Sequence, residues 1–114
     1  MKSFCRGVLL GAVLALAGYA GPALAADAVD ADAAQVLLKK NDCGKCHAVD
    51  KKKDGPSFKE TAGKLKGKAD AEDQLFKHLT TNPKVKIDGK EEEHKAIKGS
   101  EVEARNLVRW ILSR

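Results

Sequence analysis

The chain has 114 residues, room for one small domain, with a formal net charge of +5 and only 4% aromatic residues. The basic surplus is modest and carries no interleaved aromatics, which argues against a nucleic-acid-binding module. So few aromatics also leave a thin core for a domain of this size, which is marginal when it must stand on its own burial.

The N-terminus reads as a leader rather than as part of that domain. Lys2 and Arg6 form a charged start, Val8 to Ala20 is an apolar run of thirteen residues, and Ala23-Leu24-Ala25 is the small-x-small pattern of a signal-peptidase site. Thirteen residues fall short of the roughly 20 that a bilayer-spanning helix needs. Cleavage is expected after Ala25, leaving residues 26–114 as the working domain and removing Cys5. Lys2 and Arg6 leave too, with no acidic residue, so the net charge falls from +5 to +3. Export places the chain in an oxidising compartment, the bacterial periplasm.

Residues 26–31 form a small-residue tail. A first helix is expected over 33–40, with Asp32 as N-cap and Ala34, Leu37, Leu38 and Asn41 on one stripe. It runs into Cys43-Gly44-Lys45-Cys46-His47. Cys-x-x-Cys-His is the attachment pattern of a c-type haem. Two thiols three residues apart share one side of a helical turn and can reach two vinyl groups of one porphyrin. The His that follows falls where it can ligate the iron from below. Three other readings of the cysteines weigh less. A redox dithiol of the thioredoxin kind needs a strand and a βαβ setting, and a helical lysine-rich segment leads in here. A zinc finger wants its histidines three to five apart, whereas His78 and His94 are sixteen apart. A structural disulfide across two residues removes little unfolded-state entropy.

Lys51 to Pro56 is a loop punctuated by Gly55-Pro56. A short helix is expected over 57–64. Another, over 71–80, has Asp70 as N-cap, acidic Glu72 and Asp73 in its first turn, and Leu75, Phe76 and Leu79 on one face. Asn82-Pro83 stops it. Residues 84–98 show no helical stripe and read as a loop, with Val85 and Ile87 alternating with lysines and a turn at Asp88-Gly89. Ser100-x-x-Glu103 is a capping box opening a last helix that carries Leu107, Trp110 and Ile111 on one face. No strand signal is strong, so the fold class is all-α.

With these elements in place, residues 32–114 resemble the small bacterial class I c-type cytochromes. The resemblance runs from the first helix into Cys43-x-x-Cys46-His47, through Gly55-Pro56, to a C-terminal helix with a Trp near its end. It implies crossing N- and C-terminal helices, with Leu38 and Trp110 meeting at the crossing, around one haem c held by Cys43 and Cys46. It implies that His47 is the proximal ligand and that the Pro56 carbonyl accepts a hydrogen bond from it. It also implies single-electron transfer between periplasmic respiratory proteins without substrate chemistry, so not an enzyme. Partners would dock at the haem edge, where Lys45, Lys51, Lys52 and Lys53 would steer acidic surfaces.

One departure stands out. The family's distal ligand is a Met, and the only Met here is Met1, inside the leader. In the family that Met stands sixteen residues before the C-terminal Trp, and counting back from Trp110 reaches His94. The expected haem is therefore bis-histidine, His47 below and His94 above. His78 is the alternative distal ligand, or else a hydrogen-bond partner of a haem propionate; a deprotonated Lys90 or Lys95 is a further option. The rival function is a haem-based sensor of nitric oxide or carbon monoxide with a displaceable His94. That rival draws on the absence of stiffening prolines after Pro83.

Overall fold

A computed structural model describes Gly18 and residues 28–114. The expected leader and its cleavage site lie outside the described residues, apart from Gly18. Four helices carry the domain: α1 (Ala31–Lys40), α2 (Phe58–Leu65), α3 (Ala71–Thr80) and α4 (Glu101–Leu112). A short antiparallel pair, β1 (Lys84–Ile87) and β2 (Lys90–Glu93), stands between α3 and α4.

The last helix organises the rest. Ser100 Oγ accepts the Glu103 N–H at 3.2 Å while the Ser100 N–H donates to Glu103 Oε2 at 2.7 Å, so the capping box read from the sequence is present. From that start α4 buries Ala104, Leu107, Val108, Trp110 and Ile111 and packs against α1, α2 and α3. Ala34, Leu37 and Leu38 of α1, Phe58 of α2, and Leu75 and Leu79 of α3 complete the core. Leu38 and Trp110 are both buried in it and line one cavity. Arg105 ties α4 to α3: its guanidinium lies 4.3 Å from the Phe76 ring centroid and 3.6 Å from the Asp73 carboxylate.

Helix starts shifted where a tertiary partner outweighed local pattern. The cap of α1 is Asp30, not Asp32: Asp30 Oδ1 accepts the Ala33 N–H at 2.9 Å. Asn106 of α4 decides between the two aspartates, since its side chain exchanges two hydrogen bonds of 2.8 Å with the Asp30 backbone. The expected tail is thus pinned to α4 at Asp30. Ser57 caps α2, which begins at Phe58. Asp70 stands at the N-cap position of α3 but caps no backbone N–H; its carboxylate accepts from Gln74 Nε2 at 2.9 Å instead.

The larger correction concerns residues 84–93, expected as loop and found as a hairpin. Asp88 (φ 49°) and Gly89 (φ 77°) both take positive φ, as a two-residue type I′ turn requires. The register sets Lys84 opposite Glu93 and Lys86 opposite Glu91, so opposite charges face each other along the ladder. β2 reads Lys-Glu-Glu-Glu and is exposed throughout, which is why no apolar alternation announced it.

Candidate functional site

The Cys-x-x-Cys-His stretch is built by the end of α1. Asn41 closes the helix, and Asp42 enters the left-handed region at φ 55°, turning the chain into a 3₁₀ turn over Cys43–Lys45. The His47 N–H donates to the Cys43 carbonyl at 3.0 Å, so both sulfurs and the imidazole come from one compact turn. Cys43 and Cys46 are half-buried and not bridged to each other. Burial pushes the Cys43 thiol above its ordinary value, a backbone hydrogen bond opposes this, and the Asp42 carboxylate adds to it.

His47 is held from one side by the loop that follows. Its Nδ1 lies 2.7 Å from the Pro56 carbonyl. A carbonyl only accepts, so Nδ1 carries the proton and Nε2 keeps its lone pair for a metal. The Gly55 N–H donates to the Cys46 carbonyl at 2.8 Å, drawing the loop against the motif. A Cβ on Gly55 would come within 2.4 Å of His47 Cε1 and 2.9 Å of Nδ1, so only glycine admits the ring here. The ring also stacks on Phe58 at 5.5 Å, and Phe58 meets Trp110 edge-on at 5.6 Å. The imidazole is thereby braced against the main core.

The other two histidines arrive from different elements. His94 follows β2 directly, and its ring centroid lies 6.2 Å from that of His47. His78, near the end of α3, lies 4.7 Å from His94. Both are half-buried, and burial first, then the neighbouring rings (His47 for His78, His78 and His47 for His94), lower their affinity for a proton below the ordinary imidazole value. His94 Nδ1 is buried without a hydrogen-bond partner. Three imidazoles and two thiols meet in one region, which supplies the sulfurs and the nitrogen ligands that an iron porphyrin with thioether links takes. A separate cavity of about 420 Å³ opens beside His47, lined by Leu38, Val49, Phe58 and Trp110. Neither His78 nor His94 lines it, so it is not the space between the imidazoles.

A family model described as cytochrome c matches residues 31–114. The chain belongs to the cytochrome c family. It is similar to cytochrome c-552 of Nitrosomonas europaea, with 32% identity over 113 residues, 99% of this chain and 98% of the relative. Cytochrome c-551 of Pseudomonas aeruginosa is 34% identical over 79 residues, 69% of this chain and 74% of the relative. Among solved structures, the class 1 cytochrome MtoD from Sideroxydans lithotrophicus superposes with a TM-score of 0.74 at 57% identity, covering 75% of this chain and 97% of that one. This cytochrome c thus has the all-α class I fold expected from its sequence, with the hairpin as an addition. It carries one haem c covalently through Cys43 and Cys46, transfers electrons, and serves redox partner proteins.

Three contacts around the site had weak sequence signals. Gly55 reads as loop punctuation, although its place before Pro56 hints at a close approach. Asn82 reads as a helix stop, yet its side chain accepts the Ala96 N–H at 2.7 Å. Lys53 reads as a docking charge, whereas its amine donates to the Gly44 carbonyl inside the attachment motif. Lys45 forms an exposed pair with Asp42 at 3.4 Å. Among the described residues, no helix is long and apolar enough to cross a membrane.

Proposed function

We propose that this cytochrome is a periplasmic one-electron carrier whose haem iron is held by two histidines, His47 proximal and His94 distal. When bound, the haem supplies exchange of one electron between ferric and ferrous iron, and the chain catalyses no reaction of its own. The observation that carries this reading is the pairing of His47 and His94. Two imidazoles on one metal, each bound at about 2.0–2.1 Å with about 1 Å from nitrogen to ring centre, have centroids about 6 Å apart. The centroids of His47 and His94 are 6.2 Å apart. The partnerless buried nitrogen of His94 supports the same assignment, because a buried ring nitrogen without a partner is costly unless a ligand satisfies it. Pro56 fixes the His47 tautomer and makes its other nitrogen a better donor. His78, beside His94, acts as the haem's polar neighbour toward a propionate rather than as a ligand.

The leader 1–25 directs export and is removed after Ala25, leaving residues 26–114 in the periplasm. Partners approach the attachment motif, where Lys39 and Lys45 flank the cavity beside His47 and Lys51, Lys52 and Lys53 are exposed. These amines favour an acidic docking face and faster encounter at low salt. The test is the absorption spectrum of the holoprotein beside that of His94→Ala. Low-spin haem in both redox states, becoming high-spin in the variant, is the expected pair of results. Unchanged spectra would move the distal ligand to His78, and a ferrous wild type that is already high-spin would favour a sensor of small gases.

A further inference from the structure

The segment that carries His94 has no regular structure from residue 94 to 98, and no proline stiffens it. It is nonetheless tied at four of its five backbone N–H groups, each to a different place. His94 donates to the Pro83 carbonyl at 2.8 Å, extending the hairpin ladder by one step. Ala96 donates to Asn82 Oδ1 at 2.7 Å. Ile97 donates to the Leu79 carbonyl at 2.8 Å, and Lys98 to Asn41 Oδ1 at 2.7 Å. Asn41 returns the contact, its Nδ2 donating to the Lys98 carbonyl at 3.2 Å and to the Leu37 carbonyl at 2.9 Å.

We propose that Asn41 and Asn82 are positioning residues for His94: a two-point side-chain clamp that joins the two backbone hydrogen bonds of His94 and Ile97 in holding the strap so that its imidazole stays on the iron. The proposal rests on the reading of His94 as distal ligand. The two asparagines do different work. Asn82 uses one acceptor oxygen. Asn41 uses its whole amide, as acceptor and as donor, and it stands two residues before Cys43. The same residue therefore ends the helix that presents the attachment motif and grips the strap 57 positions away in sequence. A fixed backbone leaves His94 few ways to swing off the iron, which a proline-free strap would otherwise allow. The chemistry sets up a sharp pattern of rescue. Aspartate at 82 keeps the acceptor. Aspartate at 41 keeps the acceptor toward Lys98 but turns a second oxygen toward the Leu37 and Lys98 carbonyls, where nothing can donate.

The experiment uses ferrous holoprotein and carbon monoxide, which takes the distal position only when His94 leaves. Asn82→Ala is expected to capture carbon monoxide about fivefold faster than wild type, the factor that one exposed hydrogen bond is worth, and Asn41→Ala, which loses two hydrogen bonds to Lys98, at least that much faster. Asn82→Asp is expected to match wild type, and Asn41→Asp to be at least as fast as Asn41→Ala. Amide hydrogen exchange should quicken at Ala96 in the first alanine variant and at Lys98 in the second. Capture and exchange at wild-type rates in both alanine variants would overturn the clamp. If Asn82→Ala yields no holoprotein, Asn82→Ser, whose shorter side chain cannot span to Ala96, is read the same way. His94→Ala separates the two failures. A His94→Ala spectrum that stays low-spin removes the ligand assignment and the clamp with it. One that turns high-spin while the asparagine variants behave as wild type removes the clamp alone.

Discussion

Gly55→Ala puts one methyl group where the His47 ring already is. The added carbon would sit 2.4 Å from Cε1 and 2.9 Å from Nδ1, closer than a Cβ can approach, and 3.1 Å from Nε2, a few tenths too tight. The ring is clamped on its other sides by the Phe58 stack and by the 2.7 Å hydrogen bond to Pro56, so it cannot simply turn away. Either the imidazole tilts and loses Pro56, or the 54–56 loop lifts and loses the Gly55 to Cys46 hydrogen bond. Overpacking of this kind costs about 1–3 kcal/mol, and one lost neutral hydrogen bond adds about 1 kcal/mol. For a domain whose urea dependence is about 1–2 kcal/mol per M, the unfolding midpoint should fall by about 1–4 M. Gly44→Ala is the control, because a Cβ there meets nothing within 4 Å and needs no positive φ. The assay is urea unfolding of both holoproteins followed by haem absorption. A Gly55→Ala protein with the wild-type midpoint and spectrum would refute the steric account of this glycine.

Cys43→Ala or Cys46→Ala should sharply lower the yield of mature holoprotein, read by covalent haem staining after denaturation; a double variant that retains covalent haem would contradict the attachment. His94→Met should raise the midpoint potential and bring in a sulfur-to-iron charge-transfer band in the ferric spectrum, measured by potentiometric titration. Ser100→Ala should cost about 1 kcal/mol in urea unfolding at neutral pH through loss of the α4 cap. The Glu103 carboxyl is held below its ordinary value, chiefly by its hydrogen bond with the Ser100 backbone. Its contribution is therefore fully present above the unfolded value of 4.5 and lost as pH falls through the lowered folded value, so wild type and Glu103→Gln should converge in stability in acid.

The helices and the attachment turn were legible because their signals are local. Leu107, Trp110 and Ile111 repeat at helical spacing, Ser100 and Glu103 make their box within one turn, and Cys43, Cys46 and His47 are neighbours in sequence. What escaped was decided across the fold. Asp30 and Asp32 are equivalent caps until Asn106 chooses between them, 76 residues away. The hairpin escaped because its second strand is all charge and its support is the opposing lysines, a pairing that appears only once the register is known. Its local signs are the Val85 and Ile87 alternation and the Asp88-Gly89 turn, and neither marks the second strand. Asn41 reads as the last position of a helical stripe and Asn82 as a helix stop; their side-chain amides go to a strap whose path no local pattern encodes.

The distal side also bears on what can set the redox potential. Glu91, Glu92 and Glu93 immediately precede His94, and their charge would favour ferric iron if it acted undiluted. All three are exposed. Glu91 pairs with Lys84 at 2.9 Å across the hairpin, with side chains 56% and 76% exposed, and Lys86 and Lys84 stand opposite Glu91 and Glu93 in the register. Glu91 and Glu93 thus face lysines across the hairpin while Glu92 faces Val85, and all three charges are screened by water and salt beyond about 10 Å. Under the proposed ligation by His94, donor identity at position 94 is not screened, because it acts through the bond to iron. A thioether favours ferrous iron and raises the potential, while a second imidazole, the stronger donor, favours ferric iron. Removing the three carboxylates should therefore shift the potential far less than His94→Met, and the smaller shift should shrink as salt is added while the larger one persists.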